Sequence, residues 1–251
     1  MEIEEYRTNY LLENSYWWFV GRRKIVSEVL HSWGFMEKFQ SILDAGCGTG
    51  KMVEYLSSFG EAFGIELSPK GIEFCRERGL SLLTEGDISN LPFRDNSFNL
   101  VSCFDVLYHK KVDETQALGE LYRVCKQEGF LIVTDAAFEF LRSEHDESVH
   151  GVRRYTRRSL RDAVENSGFN VIKASYWDFF LFPAVFFIRM VKNFLPVHHE
   201  RPVSNLKPIP QPLNTLLSWL IYLEAKLIGK ISLPFGTSIV LLAKKNIIRR
   251  K

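Results

Sequence analysis

The chain has 251 residues, a length that suits one domain with an elaboration. Its hydrophobic fraction of 46% supplies a substantial core, while a net charge of +2 argues against a nucleic-acid binder held by bulk electrostatics. Four scattered cysteines, Cys47, Cys75, Cys103 and Cys125, form no C-x-x-C pair and point to neither a disulfide framework nor a metal site. The N-terminus carries no signal-peptide pattern, and no apolar run reaches the roughly 18 residues of a membrane span, so a cytoplasmic setting is expected.

Residues 1–40 read as an N-terminal helical lid. The aromatic cluster Tyr16-Trp17-Trp18-Phe19 precedes Gly21-Arg22-Arg23, and a helix is expected to run to about Trp33. Ile25, Val26, Val29, Leu30 and Trp33 share one face of it, and Gly34 stops it. Trp18 and Phe19 read as pins onto the core. For Tyr16, Trp17, Arg22 and Arg23 that reading stands open beside a place over a ligand, where a cation would meet a carboxylate.

The first strand is expected over residues 41–44. It feeds the loop Asp44-Ala45-Gly46-Cys47-Gly48-Thr49-Gly50, and Lys51 to Phe59 follow with helical spacing at Met52, Val53 and Leu56. Alternating glycines let the chain turn sharply and bring its backbone against a ligand, at the N-terminus of a helix. A Walker A loop would need Ser or Thr where Met52 stands, and a dinucleotide fingerprint would place its third glycine at Lys51.

Further strands are expected at 62–66, 80–84, 98–104, 130–134, 169–176 and 238–243. Helices between them start at Ser68-Pro69, span about 113–125, and span 156–166 with Leu160, Ala163 and Val164 inward and Gly168 as cap. Alternation of this kind implies a doubly wound α/β sheet with ligands at the carboxyl ends of the strands. Glu66 ends the second strand, Asp87-Ile88 follow the third, and Phe104-Asp105 end the fourth.

The D-x-G-x-G-x-G spacing of Asp44, Gly46, Gly48 and Gly50 resembles motif I of the class I methyltransferases that use S-adenosylmethionine (SAM). Gly86-Asp87-Ile88-Ser89-Asn90-Leu91-Pro92-Phe93 and Ser97-Phe98-Asn99-Leu100-Val101 extend that likeness to a type 11 methyltransferase domain. Asn99 stands where the pattern has Asp, at a position read as structural. The resemblance implies a Rossmann-like, mostly parallel seven-stranded sheet with an antiparallel last strand, and SAM as cofactor with S-adenosylhomocysteine (SAH) as product. Its core would be residues 41–176 plus 236–246. It further implies that Glu66 accepts from the ribose hydroxyls and Asp87 from the adenine amino group, with Ile88 against the ring. Gly46, Cys47, Gly48, Gly50 and Leu67 join the cofactor set. Asp44 orients the loop, Phe104 and Asp105 line the pocket, and Trp17 and Arg22 close it from the lid. Flanks such as Arg153-Arg154-Tyr155-Thr156 resemble a subgroup of uncharacterised bacterial and archaeal members, some associated with glycan or lipid-linked sugar pathways.

Methyl transfer from a sulfonium needs alignment, plus a base where the acceptor is a hydroxyl. His109, just past the fourth strand, is one candidate for that base, with a pKa expected near neutrality, and a wall position without a proton role is the alternative. Tyr108 lies beside it. The stretch from His145 to Tyr155 follows the fifth strand. A metal reading of its His-Asp-His content is the minor one, and no metal is expected. His150 is the second catalytic candidate, and Arg153, Arg154 and Tyr155 are candidates for acceptor contacts.

Residues 177–235 read as an apolar helical insertion or cap, with prolines at Pro202, Pro208, Pro210 and Pro212 and a helix from about Leu213 to Leu227. A cap packed on its own core, a substrate lid, a dimer face and an interfacial anchor all remain open, so a monomer or a homodimer is expected. An anchor would put the protein peripherally at the inner membrane face and favour a lipid-linked acceptor. The expected reaction is O-methylation of a small-molecule, glycan or lipid-linked acceptor. A SAM-binding regulatory subunit and, more remotely, an NAD-dependent oxidoreductase are the alternatives.

Overall fold

A computed structural model of the protein describes residues 3–34, 39–194 and 206–247. Seven strands form one sheet: β1 (Phe39–Ala45), β2 (Gly60–Glu66), β3 (Leu83–Glu85), β4 (Phe98–Phe104), β5 (Cys125–Ala136), β6 (Asn170–Trp177) and β7 (Ser238–Lys244). Their order is β3-β2-β1-β4-β5-β7-β6. All neighbours pair in parallel except β7, which runs antiparallel between β5 and β6. The chain therefore winds outward from β1 in one direction and restarts at β4 in the other. That switch point opens a crevice at the carboxyl ends of β1 and β4, where the glycine loop and Asp105 lie.

Successive strand residues feed opposite cores, as a period of two requires. Ile42, Leu100, Ile132 and Val240 pack on one face with α2 (Trp17–Ser32), α3 (Lys51–Leu56) and α9 (Gln211–Ile228). Leu43, Val101, Val133 and Leu241 pack on the other with α5 (Glu114–Val124) and α7 (Arg157–Asn166). The strand positions and most helix positions follow the sequence expectation within a few residues. Asp113 caps α5 by accepting from the Gln116 N–H, and Thr156 caps α7 by accepting from the Ser159 N–H. Ser68 holds the N-cap position of α4 (Pro69–Glu77) but makes no side-chain cap; its N–H instead donates to Glu66 Oε1 at 3.0 Å. Asn99 ties β4 to its neighbours, its Oδ1 accepting from Ser41 and Lys126.

Trp33 departs from expectation. It is the C-cap residue of α2 and is exposed, because the helix ends before the position at which it would face the core. Two helices also had no sequence signal: α1 (Ile3–Leu12), which has no apolar stripe, and the five-residue α6 (Glu144–Ser148). In the apolar insertion, α8 (Phe182–Phe194) carries the phenylalanine-rich stretch, and Pro202 falls outside the described residues. α9 buries Ile221, Ala225 and Ile228 against α2. The two helices approach so closely that a Cβ on Gly21 would lie 2.5 Å from Ile221 Cγ2. Asn214 completes the junction by accepting from the Trp17 N–H at 2.9 Å and donating to the Ser15 carbonyl at 2.8 Å.

Candidate active site

The glycine loop leaves β1 with Gly46, Gly48 and Gly50 at φ of 79°, 59° and 84°. A side chain at Gly46 would run into Val106, whereas Gly48 faces open space, so its backbone is the part that a ligand meets. Gly50 turns the chain into α3 and faces Cys75 and Leu80, behind the cavity wall. Asp44 is likewise behind the wall. It is buried between β1 and β4, where Ser102 Oγ donates to it at 2.7 Å, and burial pushes its pKa up to about 6. It supports the loop from below and stays out of contact with the cavity.

A cavity of about 660 Å³ stands over the loop. Gly46, Cys47 and Gly48 form its floor, and Glu66, Leu67, Asp87, Ile88, Phe104 and Asp105 form the flank given by the strand ends. Glu66 is preorganised: Gly48 N–H donates to Oε2 at 2.9 Å, and Tyr6 Oη donates to Oε1 at 2.8 Å. Asp87 fixes its own turn by accepting from the Ser89 N–H at 2.8 Å. Asp105 sits at φ 57° and pairs with Arg22 Nη1 at 2.6 Å. Two residues assigned separately to the cofactor from sequence thus meet each other. Burial raises the Asp105 pKa, and the Arg22 guanidinium opposes that rise while lying over the Trp18, Phe19 and Phe104 rings.

The lid closes the cavity with more residues than the sequence indicated. Tyr6, Asn9 and Glu13 line it together with Tyr16, Trp17, Trp18, Phe19 and Arg22. Glu13 is buried, accepts from Thr49 Oγ1 of the glycine loop at 2.6 Å, and pairs with Arg78 Nη2 at 2.9 Å. Tyr6 and Glu13 belong to no motif, and their partners are 60 and 36 residues away. Only the carboxylate-rich start of the chain hinted at them.

At the other end, Tyr108, His109 and His150 line the same cavity, as do Lys110, Lys111, His145, Arg154 and Arg189. The His109 and Tyr108 rings stack with centroids 4.5 Å apart. Burial pushes the His109 pKa down to about 4 against a hydrogen bond to the Val149 carbonyl, so the imidazole is neutral at physiological pH. This replaces the expectation of a pKa near neutrality. Arg154 lines the cavity and spends three of its five N–H groups inside the protein, with Nε on Asp146 Oδ1 at 2.7 Å, Nη2 on Asp146 Oδ2 at 3.0 Å and Nη1 on the Ala137 carbonyl at 3.0 Å. Arg153 and Tyr155 lie outside the cavity lining. Arg153 Nη1 stands 3.7 Å from Glu114, and Tyr155 is buried with its hydroxyl on Glu114. Tyr155 anchors the start of α7 and is removed from the acceptor set by that burial.

A backbone that admits a ligand at Gly48, an acidic residue at or just past the end of each of β2, β3 and β4, and an aromatic lid fit an adenosine joined to an amino acid. Comparisons with known proteins agree. Residues 43–133 match the family described as "Methyltransferase domain". Over 133 residues the chain is 33% identical to malonyl-[acyl-carrier protein] O-methyltransferase of Pectobacterium atrosepticum, covering 49% of each chain. Over 187 residues it is 27% identical to an uncharacterised protein of Methanocaldococcus jannaschii, covering 72% of this chain and 76% of the other. In fold it is similar to a solved SAM-dependent methyltransferase from Thermotoga maritima, at a TM-score of 0.57 and 22% identity, with 98% of this chain and 100% of that one covered. Residues 43–133 thus carry a methyltransferase domain, and the fold around them is similar to that of the class I SAM-dependent methyltransferases. It spans about half the length of the Pectobacterium relative and less of some others.

Proposed function

We propose that the protein transfers the methyl group of SAM to an oxygen of a small-molecule, glycan or lipid-linked acceptor, releasing SAH. His109 is the observation that carries the oxygen assignment. Its ring lies in the cavity beyond Asp105, one nitrogen is engaged with the Val149 carbonyl, and the other keeps its lone pair at neutral pH. In this reading Glu66 and Asp87 hold the ribose and adenine, Arg22 meets the methionine carboxylate from its place on Asp105, and Gly46 and Gly48 admit the methionine backbone. The acceptor hydroxyl attacks the methyl carbon in line with the departing sulfur as His109 takes its proton. His150 lines the acceptor side and serves as a contact there.

The exposed faces of α8 and α9 support a lipid-linked acceptor reached from a membrane surface. Phe187, Ile188 and Val191 on α8, and Leu216, Trp219 and Leu223 on α9, are all exposed. Among the described residues no helix is long and apolar enough to cross a membrane, so the fitting geometry is an interfacial one.

Replacing His109 by Ala tests the base. SAM affinity by isothermal titration is expected to be unchanged, while turnover with extracted lipids or sugars falls about 100-fold or more. Turnover near that of the unaltered protein would remove His109 from the mechanism.

A further inference from the structure

The acceptor end of the cavity holds a cation that nothing above has used. Arg189 projects from α8 one turn after Val185, and both line the cavity wall. Among the described residues Arg189 has no hydrogen bond and no ion pair within contact distance. The carboxylates in electrostatic reach are Glu144 and Asp146, and both Asp146 oxygens are already taken by Arg154. Arg189 and Arg154 thus act on each other as like charges in a partly desolvated place, with Glu144 and Asp146 offsetting part of that repulsion. Burial first, and then Arg154, lowers the Arg189 pKa. His145 completes the corner. Its Nδ1 is buried with no hydrogen-bond partner, and it lines the same wall.

A buried ring nitrogen without a partner and two cations in one place both cost free energy, and an oxyanion lowers both costs, with His145 donating to it from its Nδ1–H tautomer. The opposite end of the cavity differs in sign, with Glu13, Glu66 and Asp87 in its lining. We infer that Arg189, Arg154 and His145 form a subsite for a phosphoryl group carried by the methyl acceptor. A tetrahedral phosphoryl offers three acceptor oxygens to donors converging from separate elements, α8, α6 and the segment leading to α7, which a planar carboxylate does not match. Leu141 and Val185 flank the corner with apolar surface, so the group next to the phosphoryl is apolar on at least one side. This inference rests on the methyltransferase reading of the cavity and names the acceptor's charged handle.

The test uses the full chain saturated with SAH, titrated calorimetrically with inorganic pyrophosphate and, in a parallel arm, with succinate. Saturable pyrophosphate binding is expected, weakened about tenfold or more in Arg189→Gln and less in Arg189→Lys, since loss of a charge-assisted contact has that size. Succinate is expected to bind far more weakly in every case. SAH affinity is expected to stay the same in both variants, which also reports that they are folded. No saturable pyrophosphate binding by the unaltered protein, equal binding by Arg189→Gln, or succinate binding that matches pyrophosphate and depends on Arg189 would each overturn the subsite. Failure of the unaltered protein to bind SAH would instead strike at the methyltransferase reading itself.

Discussion

Glu66 receives hydrogen bonds from Tyr6, Gly48 and Ser68, so its two oxygens are held in position before a ribose arrives. A carboxamide cannot accept equally at both atoms. Glu66→Gln is therefore expected to weaken SAM binding about tenfold or more in a titration and also to lower the melting temperature, since its amide NH2 would face a donor that Glu66 now accepts from. In the proposed reaction His109 sets the pH signature. Its pKa of about 4 lies below the ordinary histidine value, so the lone pair is available at all higher pH and is lost only as pH falls through that value. The acid limb of kcat/KM is expected near pH 4 rather than 6.5, and it is expected to vanish in the residual activity of His109→Gln. The strand-end acids were legible in the sequence because each stands at a fixed offset from a local turn signal. Tyr6, Glu13 and Arg189 were not, since their meaning comes from partners brought near only by the fold. The pKa of His109 was misjudged for the same reason: burial is a tertiary property.

At the scale of elements, the contact of α2 with α9 depends on the missing side chain at Gly21. Gly21→Ala is expected to cost about 1–3 kcal/mol in urea unfolding through overpacking against Ile221, and Ile221→Ala in the same chain is expected to restore part of it. A second dependence is on pH. Glu224 on α9 accepts from the Phe179 and Phe180 N–H groups, and burial pushes its pKa up to about 7. An acid whose pKa is raised on folding binds its proton more tightly in the folded state, so stability falls as pH rises from about 4.5 to about 7. The limit for this one group is about 3 kcal/mol. Asp178, raised to about 6 by burial, acts in the same direction. Urea midpoints are expected to decline between pH 5 and pH 8, and Glu224→Gln is expected to flatten that decline. The sequence marked α9 by its apolar spacing and missed α1 because that helix is held by Glu66, Thr49 and Arg78 rather than by an apolar stripe of its own.

Across the whole molecule, residues 179–191 and 206–235 contain one carboxylate, Glu224, and it is buried; Lys207, Lys226 and Lys230 carry the opposite charge. These segments hold more cations than carboxylates, even with Lys226 paired to Glu28 of α2, and such an apolar face suits an anionic bilayer. Flotation with vesicles containing phosphatidylglycerol is expected to carry the protein upward, and Phe187→Asp with Leu216→Asp is expected to leave it at the bottom. Equal recovery of both proteins would refute the surface. The antiparallel last strand was implied by the family resemblance and the position of the crevice by the alternation of strands and helices, whereas the way the insertion folds back onto the lid could not be inferred. That arrangement depends on pairs such as Trp17 with Asn214, almost two hundred positions apart.

The junction of Glu13 with Thr49 and Arg78 has a consequence in time. It fastens the start of the chain to the glycine loop beside the cavity, and in the proposed cycle its buried carboxylate would make release of the nucleoside a cooperative opening rather than a gradual loosening. Such openings run on microsecond to millisecond scales and often set the pace of a catalytic cycle. Rapid mixing is then expected to show a first turnover faster than the steady state, with an amplitude close to the enzyme concentration.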